Sequence, residues 1–184
     1  MCMELQSVYA QKFKVIFALA ISFSAWAADL PDPQLTPGAI NPGITQENIQ
    51  QTVCVKGYTK KIRPPAHVTN KLKKLQINVY GYTETKPALY EEDHLIALSI
   101  GGAPDNPLNL WPQPRNSEWG AAKKDQLEMV LYKKVCANEI PLSEAQRAMA
   151  TNWINAWSQY VHTQPESYEI AKNSENKNGN ENHK

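Results

Sequence analysis

Apolar residues recur at helical spacing in three stretches of the chain. Leu72, Leu75 and Val79 predict a helix over 69–79. Trp119, Leu127, Val130, Leu131 and Val135 predict a second over 117–135. Ala145, Met149, Trp153, Ala156, Trp157 and Tyr160 line a third, which starts at Ser143 with Gln146 completing a capping box. Residues 89–100 lack that period. They are apolar β-formers closed by Gly101-Gly102 and read as a strand. Asn109-Leu110-Trp111 reads as a short second strand, stopped by Pro112 and Pro114. Helix, two short strands and two helices make an α+β domain.

The two ends carry no such pattern. Lys12 and Lys14 precede an apolar run over 15–23, followed by Ser24, Ala25, Trp26, Ala27 and Ala28. A short basic region, an apolar stretch of secretory length and a small-x-small site predict an export signal over 1–27, cleaved after Ala27. Residues 28–45, with Pro31, Pro33, Pro37 and Pro42, are expected to form an extended lead-in outside the packed structure. Residues 165–184 are mostly Asn, Glu, Lys and Ser and are expected to be a disordered polar tail. The domain is therefore placed at 46–164. No apolar run beyond the signal has spanning length, so no stable membrane association is expected after cleavage. The expected compartment is the periplasm or the medium.

Length and composition fit this division, since 184 residues with 42% hydrophobic content can build one core and are unlike a disordered chain. Of three cysteines, Cys2 leaves with the signal. Cys54 and Cys136, an even pair in an exported chain, read as one disulfide closing a long loop, with two free buried thiols as the less favoured alternative.

The formal charge is only +1, so affinity for a polyanion must come from a local patch. Between Glu47 and Glu84 there is no acidic residue, while Lys56, Lys60, Lys61, Arg63, Lys71, Lys73 and Lys74 all fall there. Such a segment suits salt-sensitive contacts with nucleic-acid phosphates. Its plain alternative is a solvated surface.

The chemistry is concentrated near Asp93-His94. A histidine that titrates near neutrality suits general-base work on water, and an adjacent carboxylate is a hard ligand for a magnesium-like ion. Neighbouring strand residues point to opposite faces, so the two can share a site only where the strand ends or bulges. A structural hydrogen-bonded pair is the alternative.

The string Asp93-His94-Leu95-Ile96, the Gly101-Gly102 turn and Asn109-Leu110 resemble the HNH nucleases. More narrowly, residues 35–160 resemble a group of exported bacterial HNH-like proteins. The matching pieces are Thr52-Val53-Cys54, Arg63-Pro64-Pro65, the Asp-His segment, Asn109-Leu110-Trp111-Pro112-Gln113, Lys124-Asp125-Gln126-Leu127-Glu128, Val135-Cys136 and Ala145-Gln146. The resemblance implies a ββα-metal core with flanking helices, in which two strands and a helix clasp one divalent ion, Mg2+ with Mn2+ or Zn2+ as alternatives. It gives His94 the general-base role, Asp93 a metal-ligand role, and Asn109 the task of orienting the histidine ring through its side-chain carbonyl.

The chain departs from the pattern at the second metal ligand. No histidine lies between His94 and His162, and Asn116 is the best-placed substitute, with helix N-cap as its equal reading. Glu118, Lys124, Asp125 and Glu128 are candidates to support the site, with a salt-bridged helix surface as the alternative for Lys124, Asp125 and Glu128. Ala97 stands where the family commonly has proline. His67 reads as a surface residue and the tryptophans as core.

The function expected is an exported metal-dependent endonuclease that cuts the phosphodiester bonds of DNA or RNA. The alternative is a catalytically inactive nucleic-acid-binding module on the same scaffold. A structural or partner-binding protein is a third reading, which the basic segment disfavours.

Overall fold

The computed structural model describes residues 29–162, so the expected signal over 1–27 and the polar tail over 165–184 lie outside the described residues. Within them four helices and one small sheet form: α1 (Tyr58–Ile62), α2 (Ala66–Val79), β1 (Tyr90–His94), β2 (Leu110–Pro114), α3 (Ala121–Cys136) and α4 (Leu142–Tyr160). The strands pair antiparallel from Tyr90↔Pro114 to His94↔Leu110. The architecture is α+β with one disulfide, Cys54–Cys136.

The core lies where sequence periodicity puts it. Leu127, Leu131 and Val135 of α3 meet Ala145, Met149 and Trp153 of α4, and Trp111 of β2 joins them, all essentially inaccessible. This apolar burial is the main stabilising term of the domain. Trp119 and Trp157 are half-buried and pack edge to face. The disulfide ties the segment before α1 to the end of α3 across a sequence separation of 82.

Several boundaries differ from the sequence reading. β1 ends at His94, and residues 95–104 form a loop containing a 3-10 turn over Leu98–Ile100. β2 extends through Pro112 and Pro114 instead of stopping before them. In a two-stranded sheet each strand has an unpaired edge, so a proline can sit there without removing a ladder bond. α3 starts at Ala121, leaving Trp119 outside it, because the chain folds back at Gly120. A Cβ there would lie 2.4 Å from the Arg115 carbonyl. The capping box at Ser143 is absent: Pro141 holds the cap position, and Gln146 Nε2 instead donates to the Ile100 carbonyl at 3.0 Å.

α2 is the clearest reversal. Leu75 and Val79 are 65% and 62% exposed, while Gln76 and Ile77 are buried. Two polar contacts select the buried face: Gln76 Nε2 donates to the Leu110 carbonyl at 2.7 Å, and Lys73 Nζ to the Tyr90 carbonyl at 3.2 Å. Polar contacts with strand carbonyls, which also accept from Thr36 Oγ1 and Arg115 Nε, thus outweigh the burial of an aliphatic stripe.

The proline-rich stretch is also packed, contrary to expectation. Gly38 N donates to the Leu108 carbonyl at 2.9 Å, Asn41 N to the Gly101 carbonyl at 2.8 Å, and Ala103 N to the Ala39 carbonyl at 2.9 Å. Trp153 Nε1 reaches the Asp29 carbonyl at 3.2 Å. The folded unit therefore begins by residue 29, not at 46. Among the described residues no helix is long and apolar enough to cross a membrane.

Candidate active site

The site forms where β1 ends. Alternation sends Asp93 and His94 to opposite sides of the strand, and each finds a different partner. Asp93 faces α3, where its Oδ2 lies 2.6 Å from Lys124 Nζ. His94 is 4% exposed and its Nε2 lies 2.8 Å from the Pro104 carbonyl oxygen. A carbonyl can only accept, so the Nε2 proton is fixed by this contact and the lone pair is left on Nδ1. Burial lowers the His94 pKa below the ordinary histidine value. The Pro104 carbonyl and Asp93 oppose that shift, while the Arg63 and Lys124 charges add to it. Burial thus favours the neutral imidazole, and the Pro104 contact selects its tautomer.

Asn109 does not orient the ring. Its fully buried side chain accepts from Ile96 N at 2.9 Å and from Ala39 N at 3.4 Å, and donates to the Ile96 and Ala103 carbonyls, each at 3.0 Å. It shapes the loop whose far end, Pro104, holds His94. Gly102 is required in the same loop, since a Cβ there would lie 1.8 Å from the Ile96 carbonyl oxygen. The partners of the Asn109 side chain are the loop backbone and not the imidazole. The Pro104 carbonyl left no signal at all, because a backbone oxygen has no residue type.

Lys124, expected only to support the site, sits at its centre. Its ammonium contacts Asp93, the Glu128 carboxylate one helical turn on, and the His94 carbonyl oxygen at 2.7 Å. Burial alone would lower its pKa, but Asp93 and Glu128 hold it above the ordinary lysine value. Burial raises the Glu128 pKa, Lys124 pulls it down, and Asp93 pushes it up again. Asp125 is exposed on the same turn of α3. Partial burial and Asp93 raise its pKa, against the charges of Lys124, Arg115 and Arg63. The i, i+4 pair of Lys124 and Glu128 matches the salt-bridged alternative offered by the sequence, although it is buried and not on the surface.

The other candidates are scattered. Asn116 and Glu118 are exposed in the turn between β2 and α3, and Gly120 takes the cap position offered to Asn116. Lys56, Lys60, Lys61, Arg63, Lys71 and Lys74 are exposed, whereas Lys73 is half-buried against the Tyr90 carbonyl and leaves the basic surface. His67 is exposed, as expected. An open groove of about 480 Å3 runs beside the disulfide and reaches Asp125 and Glu128, with Lys56, Tyr58, Met129 and Tyr132 also in its walls.

One buried acid escaped the sequence reading. Glu92, on the same side of β1 as His94, has both carboxylate oxygens enclosed without a hydrogen-bond partner. Burial pushes its pKa up to about 8, against the charge of Lys73 and with that of Asp93. Its place two residues from Tyr90 and His94 in a period-two strand was the available signal.

The donor set does not fit a chelated divalent ion. The Asp93 oxygen facing α3 already carries an ammonium, and among the described residues no three His, Cys, Asp or Glu side chains converge as an ion site. No chemical step below is therefore routed through a metal. No protein-family model, curated protein or solved structure matches the chain.

Proposed function

We propose that this chain is an exported HNH-like endonuclease that hydrolyses phosphodiester bonds of DNA, or of RNA by the same chemistry. One observation carries the reading: His94 is buried and held through Nε2 to the Pro104 carbonyl, which leaves the Nδ1 lone pair to serve as a base, and burial favours the unprotonated ring. In the proposed reaction Nδ1 takes a proton from water, the resulting hydroxide attacks phosphorus, and the P–O bond to the leaving oxygen breaks. That oxygen takes a proton from solvent. Arg63, the one cation of the exposed basic segment whose field reaches both His94 and Asp125, is suited to offset charge on the phosphate. Lys56, Lys60, Lys61, Lys71 and Lys74 supply sequence-independent contacts with neighbouring phosphates. The order strand, strand, helix around Asp93, His94 and Lys124 is consistent with a ββα core, which belongs to this proposal and goes beyond the α+β architecture.

The contact of Lys124 with Asp93 favours a second reading, an inactive nucleic-acid-binding module on the same scaffold. A plasmid-nicking assay beside a DNA-binding assay separates the two. The nuclease reading expects nicking that falls roughly 10²–10⁴-fold in His94→Ala, the usual contribution of a general base. Binding without nicking in the wild-type protein would establish the second.

A further inference from the structure

We infer that Lys124, and not a divalent ion, is the cation that the Asp93 and Glu128 carboxylates share in this site. The ammonium donates to Glu128 Oε1 and to the His94 carbonyl oxygen, and it forms an ion pair with Asp93 Oδ2. Its side chain is 1% exposed, and the two carboxylates keep only 14% and 22%.

For a metal ion to take Asp93 Oδ2, the ammonium would have to let go, leaving a buried positive charge one acceptor short next to a second cation. Breaking a buried pair from one side is strongly unfavourable. Mg2+ in turn requires near-octahedral oxygen ligands and gives up its waters reluctantly. A lysine fixed on α3 by the Glu128 one turn away meets neither obstacle. The same ammonium joins α3 to the backbone of His94, so it is a positioning residue for the base as well as a charge. That catalytic consequence rests on the nuclease reading, but the shared cation does not.

The decisive measurement is binding of Mn2+ alone to the mature protein, by calorimetry and by the spin-resonance signal of the free ion, with thermal melts in EDTA and in excess Mg2+. The wild-type protein is expected to show no stoichiometric Mn2+ site and the same melting temperature in both solutions. Lys124→Met should melt lower by roughly 10 °C, the scale of a broken buried pair in a domain this size, and recover part of that loss when Mn2+ is added. Lys124→Arg should stay indifferent to the ion. If Lys124→Met does not fold, Asp93→Asn serves: it should melt lower than wild type and leave Mn2+ binding unchanged. One tight Mn2+ per wild-type chain, lost in Asp93→Asn, would overturn the inference, as would a Lys124→Met protein as stable as wild type. If the protein proves inactive on every nucleic acid, the nuclease reading fails while the Mn2+ titration still decides this one. If it nicks DNA, rates with and without EDTA should agree.

Discussion

The side chain of Asn109 grips both backbone groups of Ile96, accepting from its N–H at 2.9 Å and donating to its carbonyl at 3.0 Å. It thereby replaces the strand pairing that stops at His94 and Leu110. A third bond to the Ala103 carbonyl closes the loop just before Pro104, whose own carbonyl holds the imidazole. One amide thus converts the end of a ladder into a mount for the loop that holds the His94 imidazole.

Asn109→Ala is accordingly a stability variant first. It strands buried donors and acceptors of Ile96 and Ala103, at about 1–3 kcal/mol for each group left unsatisfied. A loss of at least about 3 kcal/mol in urea unfolding is expected, with any loss of nicking following the loosened loop. Unchanged stability would refute the clamp.

The titration of His94 has a definite sign. Its folded-state pKa is lowered, so as pH falls through about 6.5 the unfolded chain takes up a proton before the folded one does. Stability is full above that value and is lost as pH drops through the lowered folded pKa. Unfolding free energies of wild type and His94→Gln across roughly pH 5–8, the working window of histidine, should show this slope in the first and a flatter curve in the second. The acid limb of the nicking profile should likewise fall below the ordinary histidine value.

Glu92 runs the opposite way. With its pKa raised from 4.5 to about 8, the folded state holds the proton more tightly, so its contribution is intact below 4.5 and lost as pH rises through 8. Both oxygens lack partners, and replacing Glu92 by Leu should stabilise the protein above pH 8 by about 1–2 kcal/mol. At acid pH the two proteins should differ little. Denaturant midpoints at the two ends of the range test this.

The basic segment divides into two kinds of lysine. Lys71→Glu with Lys74→Glu should weaken DNA binding of every sequence alike and flatten the dependence of log K on log salt, by about 0.9 for each phosphate that is no longer neutralised. Lys73→Glu should act through folding instead, because that ammonium is spent on the Tyr90 carbonyl. Equal salt slopes in wild type and the double variant would return the surface to a solubility role.

What could be read from the chain follows the strength of each local signal. α3, α4 and their shared core were legible because Leu127, Leu131, Val135, Ala145, Met149 and Trp153 repeat over several turns. The disulfide was legible from an even pair of cysteines, and two short strands were expected, although the first ends at His94 instead of running to residue 100. Asp93 and His94 stood out by residue type, whereas Asn109 was singled out only through the family resemblance. α2 misled, since Leu72, Leu75 and Val79 have the right period yet Gln76 and Lys73 decide which face is buried, through carbonyls on strands distant in sequence. The partners of His94, Asn109 and the 29–45 segment are mostly backbone atoms brought close by folding, and no residue code announces a carbonyl. The central place of Lys124 was hidden because its second carboxylate, Asp93, lies on another element.

The Cys54–Cys136 bond also sets how the molecule comes apart. Cys54 and Cys136 close a covalent ring that contains the exposed lysines, both strands, the Asn109 loop, Lys124 and Glu128. A protease that cuts once within that ring, for instance beside the exposed Asp105, turns the ring into an open line and releases no fragment. The nicked chain keeps its mass until a reductant is added, and only then do the strand carrying His94 and the helix carrying Lys124 become separate polypeptides.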